Sequence, residues 1–305
     1  GFVNIDKMFI AAGEASKTAS TAHDILKKVY EIDKNQDKNL TILTLGGGVV
    51  GDLGGYVAGI YRRGIHYVQI PTSLCGQVDC GLGGKVGINF EQAKNLIGLF
   101  YQPKLVFMDL SVLKTLDSIE LKSGYAEVIK YGAINDPDLF KYLEENTSKI
   151  LNLDFDCLQH VVKTCVQIKS NIVKLDERDE KDIRIMLNFG HTIGHAIEAA
   201  AGYGSYTHGE AISIGMLCAG EIACRLDLFS RSNLLKLGAL IEKAKLPSKI
   251  KGCDIDDIMS SMKHDKKFVG GVNRFVLPVD IGNAEVKSDI DEELIRSVIT
   301  EKMEV

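Results

Sequence analysis

No apolar run in this sequence approaches the ~18–20 residues that a bilayer crossing needs, which argues against a membrane span. Nothing at its start has the charged, then apolar, then small-residue order of a secretory signal. Basic residues are outnumbered, 36 against 41 acidic ones, for a formal charge of -5. A general attraction to nucleic acid is therefore not expected, and any useful positive charge must be gathered locally around an anionic ligand. There is also no C-x-x-C pair. The seven cysteines, Cys75, Cys80, Cys157, Cys165, Cys218, Cys224 and Cys253, are odd in number and scattered. That argues against a disulfide framework or a thiolate zinc site, and for a reducing, cytoplasmic setting in which the thiols are small buried hydrophobes. Internal repeats and low-complexity linkers are absent.

What is present falls into two textures. Residues 40 to 115 alternate short β-rich runs with glycine loops: "LTILTLGGG", "HYVQIPTSL" and "KLVFMDLSVL", with the glycine-opened helix "GDLGGYVAGIYRRG" between the first two. This is βαβ patterning and predicts a parallel sheet. Before it, "VNIDKMFIAAGE" reads as a strand entering a loop, followed by one helix. Beyond residue 117 the spacing turns helical, in "ELKSGYAEVIKYGAI", "DLFKYLEENTSKIL", "CLQHVVKTCVQIKSNIVKL", "HTIGHAIEAAA", "GEAISIGMLCAGEIACRL" and "RSNLLKLGALIEKA". An extended stretch, "NRFVLPVDIG", precedes a last amphipathic helix near 291 to 302. The expectation is an α/β domain over residues 1–117 and an α-helical domain over 118–305.

Three motifs carry chemistry. In "LTLGGGVVGDLGGYVAG" a β-run ends in glycines and a helix begins, so the backbone can approach a pyrophosphate whose charge meets the leading amides of the helix. Asp52 there could cap the helix or bond a ribose hydroxyl. In "QVDCGLGGKVGINFEQAKNLIG", Lys85, Lys94 and Asn95 sit beside glycines, and Arg62 and Arg63 stand before another turn upstream; flexible backbone with point-charge donors suits an anionic substrate. The third motif is "LNFGHTIGHAIEAAAGYGSYTHGEA". His191 and His195 share one helical face, His208 can join them when the chain doubles back, and Glu127 is a carboxylate in an otherwise apolar helical stretch. Two imidazoles and one carboxylate with an open position make a catalytic zinc set. Spacing alone does not say which two histidines bind.

The blocks "GGGVVGDLGGYVAGIYRRG", "PTSLCGQVDCGLGGKVGIN", "KNLIGLFYQP", "GYAEVIKYGAI", "LNFGHTIGHAIE" and "HGEAISIGM" resemble the sugar-phosphate cyclase family, and within it the 3-dehydroquinate synthases. The resemblance runs along essentially the whole chain. It implies a Rossmann-like NAD domain, here without its opening βαβ segment, followed by an all-α metal-binding domain, and a homodimer. It implies Glu127, His191 and His208 as ligands of zinc or cobalt, leaving His195 on the substrate side. It places NAD on Glu14, Lys17, Gly48, Val49, Val50, Gly51, Asp52, Thr72, Ser73, Lys85, Lys94 and Thr115. Catalytic roles fall to Lys85, Lys130, His195 and Asp79, and substrate contacts to Arg63, Asn95, Lys169, Arg184, Asn188 and Lys266, with Lys267 the alternative to the last. "DERDEKDIR" is one residue longer than the family pattern, so the acidic substrate residue is Asp179 or Glu180.

The implied reaction takes 3-deoxy-D-arabino-heptulosonate 7-phosphate, a sugar phosphate, to 3-dehydroquinate and phosphate in aromatic amino acid biosynthesis. NAD oxidises a ring hydroxyl, phosphate is eliminated, the ketone is reduced again, and the opened ring closes by an aldol step. The alternatives are another cyclase, of the inosose or valiolone type, a metal-dependent polyol dehydrogenase, or a catalytically dead binding protein. No nucleic acid or membrane partner is expected.

Overall fold

The structure is a computed structural model, and it describes residues 5–33, 40–91, 93–202, 204–263 and 273–304. The chain divides into two compact units, Gly1–Thr115 and Leu116–Val305.

In the first unit the β-rich run after Leu40 forms β1 (Thr41–Gly46), which pairs in parallel with β2 (His66–Pro71). A two-residue strand, β5 (Leu105–Val106), continues the sheet on the other side of β2, giving the order β1-β2-β5. Helix α1 (Ala19–Ile32) starts where the Thr18 hydroxyl accepts from Thr21 N–H at 3.2 Å. Helix α2 (Gly48–Ile60) connects β1 to β2. Its glycines permit close packing: a Cβ at Gly54 would lie 2.2 Å from Thr44 Cγ2, and one at Gly55 would lie 2.5 Å from Val86 Cγ1. Any larger residue would lift α2 from the sheet. Ala22, Val29, Leu53, Val57 and Ile88 form the core between α1, α2 and the next strand. The glycine-and-lysine stretch "KVGINF" is that strand, β3 (Lys85–Phe90), in an antiparallel pair with β4 (Ala93–Phe100). Residues 5–12 carry no strand; Ile5 and Phe9 are exposed there, and extended β-propensity without a pairing neighbour does not make one.

Among its described residues, the second unit is helical apart from one hairpin and an isolated bridge between Ile250 and Met303. It contains α3 (Ser118–Asn135), α4 (Pro137–Leu151), α5 (Phe155–Leu175), α6 (His191–Ala200), α7 (His208–Arg225), α8 (Arg231–Lys243), α9 (Ile255–Lys263) and α10 (Glu292–Lys302). The late extended stretch is the hairpin, β6 (Arg274–Asp280) against β7 (Asn283–Ser288). Helix starts follow the capping rules: Asp136 accepts from Leu139 N–H with Pro137 at the first turn, and Thr207 and Glu210 form a reciprocal capping box. The short helix α9 has no counterpart in the expectations above, because nine residues offer too few turns for the period to stand out.

Helices α3 and α7 are buried almost all round, and small residues let them and α6 approach closely. A Cβ at Gly209 would stand 2.2 Å from the Ser123 carbonyl oxygen, where the Gly209 N–H also donates to Ser123 Oγ at 2.9 Å. A Cβ at Gly215 would stand 2.0 Å from the Gly190 carbonyl oxygen. Gly190 itself has a left-handed φ of 78° and starts α6. These contacts hold α3, α6 and α7 in one register. Gly215→Ala is expected to destabilise the chain by about 1–3 kcal/mol through overpacking. The fall would be seen as a lower urea midpoint with unchanged slope, and an unaltered midpoint would show that the helices can yield there.

Candidate functional site

The three helices bring four chemical side chains to one place. Glu127 and Lys130 lie on one face of α3, at 0% and 1% side-chain exposure. Glu127 Oε1 is 3.3 Å from His191 Nε2, on the first turn of α6, and 3.2 Å from His208 Nε2, at the first residue of α7. Lys130 Nζ stands 2.5 Å from Glu127 Oε2, yet that oxygen accepts no well-aligned hydrogen bond. His195, one turn after His191, completes a ring of imidazoles: the centroid distances are 5.3 Å for His191–His195, 5.2 Å for His191–His208 and 5.7 Å for His195–His208. Each of the three histidines offers a nitrogen within 4.8 Å of the others. Gly190 and Gly194 let α6 lie against α7, where a Cβ would stand 2.7 Å from the Ile212 carbonyl oxygen and 3.0 Å from Ile212 Cα respectively.

Electrostatics separates the two histidines that touch Glu127. Burial pushes His191 down to about 3 against the pull of Glu127, so this ring is neutral at physiological pH. Burial would lower His208 too, but hydrogen bonds to Glu127 and Glu198, and their charges, outweigh it and raise that ring to about 10. Glu127 would be raised by its burial, but Lys130 and the two imidazoles hold it well below the carboxylate range. An ionised buried carboxylate is thus kept in place by cationic neighbours, as burial of a charge requires. The set suits a divalent cation: two imidazole nitrogens and one carboxylate oxygen converge, a second carboxylate oxygen lacks an aligned donor, and a third imidazole stands beside them.

The remaining candidates of this unit lie on α5 and the segment after it. Lys169 is buried on α5, and Arg184 and Asn188 bound a short 3-10 turn before α6. Arg184 is also buried, its Nη1 donating to the Glu177 carbonyl at 3.0 Å. The segment is organised by a residue outside the expected set. Asp176 accepts backbone N–H bonds from Glu180 at 2.9 Å, Lys181 at 3.2 Å, Ile183 at 3.1 Å and Arg184 at 3.4 Å. Burial opposes its charge, but these donors hold it below the ordinary aspartate value. Asp179 and Glu180 are both exposed here, so their alternative stays open. Lys266 and Lys267 lie outside the described residues.

In the first unit, a polar network links several expected cofactor residues. The buried Lys17 ammonium contacts Asp52 Oδ2 and Asn95 Oδ1. Asn95 N–H donates to Asn89 Oδ1 at 2.9 Å, and Asn89 Nδ2 donates to Glu14 Oε1 at 2.8 Å. Asp52 lies within α2 and does not cap it. The N-cap is Gly47, which has no side chain to offer, so the leading amides of Gly48, Val49 and Val50 face outward from the helix start. The N–H of Gly51 already bonds the Gly47 carbonyl at 3.1 Å. Thr72 and Ser73 follow β2 beside this turn, and a Cβ at Gly47 would lie 3.5 Å from Ser73 Oγ. Asp79 lies in a π-helical turn, Gly76–Cys80; Lys85 begins β3, and Lys94 precedes Asn95 in β4. Two expected residues stand apart from the network: Thr115 donates within its own 3-10 turn to the Val112 carbonyl, and Arg63 ends a turn after α2 at φ 62°.

The architecture is that of enzymes that pair a nucleotide-binding α/β unit with a helical, metal-ligating unit. Among solved structures, the chain is similar to 2-epi-5-epi-valiolone synthase from Streptomyces hygroscopicus subsp. jinggangensis, described with NAD+ and Zn2+ bound. The TM-score is 0.89 at 28% identity, covering 96% of this chain and 81% of that one. It is also similar to a 2-deoxy-scyllo-inosose synthase complexed with carbaglucose-6-phosphate, NAD+ and Co2+, with a TM-score of 0.86 at 28% identity, over 95% and 81% of the two chains. A probable glycerol dehydrogenase from Sinorhizobium meliloti, at 13% identity and a TM-score of 0.59 over 93% and 81%, shares the fold alone.

The family models for the 3-dehydroquinate synthase N-terminal and C-terminal regions match residues 7–123 and 124–268, and the chain belongs to that family. It is 45% identical to the 3-dehydroquinate synthase of Desulforamulus reducens over 295 residues, 96% of this chain and 81% of that protein. It is 47% identical to that of Thermoanaerobacter sp. strain X514 over 287 residues, 94% and 80% of the two.

The Asp176 loop has a defined pH dependence. A carboxylate depressed on folding contributes stability above its unfolded value, near 3.9, and loses it as pH falls through the lower folded value. Hydrogen exchange should therefore show the amides of Glu180, Lys181, Ile183 and Arg184 protected at neutral pH and released in Asp176→Ala. Equal protection in the variant would remove Asp176 as the organiser of this loop.

Proposed function

We propose that the chain converts 3-deoxy-D-arabino-heptulosonate 7-phosphate to 3-dehydroquinate and phosphate, as a carbon–oxygen lyase dependent on NAD and a divalent cation. The observation that carries the chemistry is the buried Glu127 carboxylate set between His191 and His208 beside Lys130. The choice of substrate rests on the identities of 45% and 47% to proteins of that name, against 28% to the valiolone and inosose synthases.

When bound, NAD would accept and return the hydride of one carbinol, and the cation, zinc or cobalt, would polarise the substrate's oxygens. Glu127, His191 and His208 are the ligands in this reading. His195 stands close to them without being required by the set, which suits a proton-handling role at the substrate. Lys130, fixed beside Glu127, presents a positive charge to the same space and steadies oxyanions. Arg184 and Lys169 bind the substrate carboxylate, the guanidinium in bidentate fashion, with Asn188 and Lys266 as further contacts. Lys85, Asn95 and Arg63 bind the phosphate, with Lys85 and Asp79 near the reacting end. The cofactor is held by Glu14, Lys17, the Gly48–Asp52 turn, Thr72, Ser73, Lys85, Lys94 and Thr115. Much of the rate enhancement in this reading is positioning, since the substrate carries its own leaving group. A cytoplasmic homodimer completes the proposal.

The rival reading is a cyclase for a different sugar phosphate, since the valiolone and inosose synthases share this fold with TM-scores of 0.89 and 0.86. Phosphate release from the heptulosonate phosphate, compared with sugar phosphates that lack its carboxylate, discriminates the two.

Two outcomes are expected. Glu127→Gln and His208→Ala lose bound metal on elemental analysis, whereas His195→Ala keeps it and loses turnover by about 10²–10⁴-fold. Unchanged zinc in His208→Ala would sink the ligand assignment. With NAD well below substrate concentration, phosphate is released without a lasting rise in NADH absorbance, because the hydride returns to the same molecule, and Lys85→Ala abolishes this release. Stoichiometric NADH from a non-phosphorylated polyol would instead identify a dehydrogenase.

A further inference from the structure

Both candidate ligand imidazoles direct Nε2 at Glu127 Oε1, so each has its Nδ1 to satisfy on the far side. The two rings do this differently. His191 Nδ1 lies 3.0 Å from the carbonyl oxygen of Phe189, two residues earlier in the chain, and donates to it. This bond is local and neutral. His208 Nδ1 instead lies 3.2 Å from Glu198 Oε2, a carboxylate from another helix. An ionised carboxylate only accepts, so Nδ1 carries a hydrogen toward Glu198, and Nε2 is the nitrogen that faces Glu127 and that a cation would take in place of a proton.

Glu198 is well placed for this task. It follows His191 by seven residues and His195 by three on α6, so all three side chains lie on one helical face. Its side chain is 7% exposed. A buried carboxylate on a helix needs a partner of opposite or donating character, and an imidazole N–H supplies one. Because His208 begins α7, its ring orientation is not set by a preceding helical turn of its own element. The carboxylate of α6 sets it from across the interface.

We infer that Glu198 is a positioning residue for the cation site: it fixes the tautomer and ring plane of His208 and raises the donor strength of its Nε2, while the Phe189 carbonyl does the weaker, neutral version of the same work for His191. The inference rests on the reading of Glu127, His191 and His208 as metal ligands. It gives the two imidazoles unequal roles. His208 becomes the more basic nitrogen, and its bond to the cation is the one most sensitive to change behind it.

The test compares wild type, Glu198→Gln and Glu198→Ala, each checked for folding by circular dichroism in the presence of chelator. Zinc affinity, read by competition with a chromophoric chelator, is expected to fall ~10–100-fold in Glu198→Ala. Glu198→Gln should lose less, because its amide oxygen still accepts from Nδ1 without the charge. The visible absorption bands of the cobalt-loaded protein should shift in the same order, Ala more than Gln. A carboxylate that only supported the fold would change thermal stability without this graded series or the spectral shift. If Glu198→Ala does not fold, Glu198→Gln decides alone, and unchanged zinc affinity with an unchanged cobalt spectrum overturns the inference. The two failures are distinguishable. Zinc lost in His208→Ala but indifferent to Glu198 defeats only this inference. A wild-type chain that takes up no zinc, or a His208→Ala variant that keeps it, defeats the ligand assignment and the inference with it.

Discussion

Three helices of the second unit approach one another more closely than side chains other than hydrogen would allow, and the site's chemistry depends on that approach. At Gly209 the start of α7 touches the backbone of α3 at Ser123, and at Gly215 its next turns touch the Gly190 carbonyl at the head of α6. Each contact leaves no room for a methyl group. Together they bring the first residue of α7, the first turn of α6 and the middle of α3 within hydrogen-bonding reach. His208, His191 and Glu127 occupy those positions. The glycines flanking the histidines are thus primarily packing devices, and the constellation is a consequence of backbone distance.

A carboxylate buried at such a junction would be costly if isolated, by several kcal/mol in an apolar interior. Lys130 one turn along α3 and two imidazoles from other helices offset that cost, and the ordering of their protonation follows from what lies behind each ring. A neutral carbonyl stands behind His191, whose burial wins. A second carboxylate stands behind His208, where charge wins. The same asymmetry of partners is the one that would grade donor strength toward a cation.

The first unit applies the same device to a different end. The glycines of α2 let the helix lie on the sheet at Thr44 and against Val86, while Gly47 leaves the helix start without a capping side chain. Gly54 and Gly55, beyond the turn read in the sequence as a phosphate-approach loop, serve packing. Asp52, ambiguous in the sequence between a cap and a ligand contact, is tied to Lys17, which also reaches Asn95 from a strand far along the chain. That link was not legible locally, because its members are 35 and 78 residues apart.

The sequence by itself determined the division into a βαβ-patterned part and a helical part, the positions of the long helices, and the residue types able to form a cation site. Periodicity and capping are local properties, legible wherever an element spans several turns; where an element was short, as in α9, or lacked a neighbour, as at residues 5–12, local signals did not suffice. Spacing put His191 and His195 on one face and left open which two of three histidines meet a carboxylate; the family resemblance named His208, on residues rather than on distance. Only the tertiary structure decided that Glu127 touches His191 and His208, that Glu198 stands behind one of them, and that Asp176 gathers the loop before Arg184. Those relations are distances between elements remote in sequence, and they exist only once backbone packing has brought the elements together.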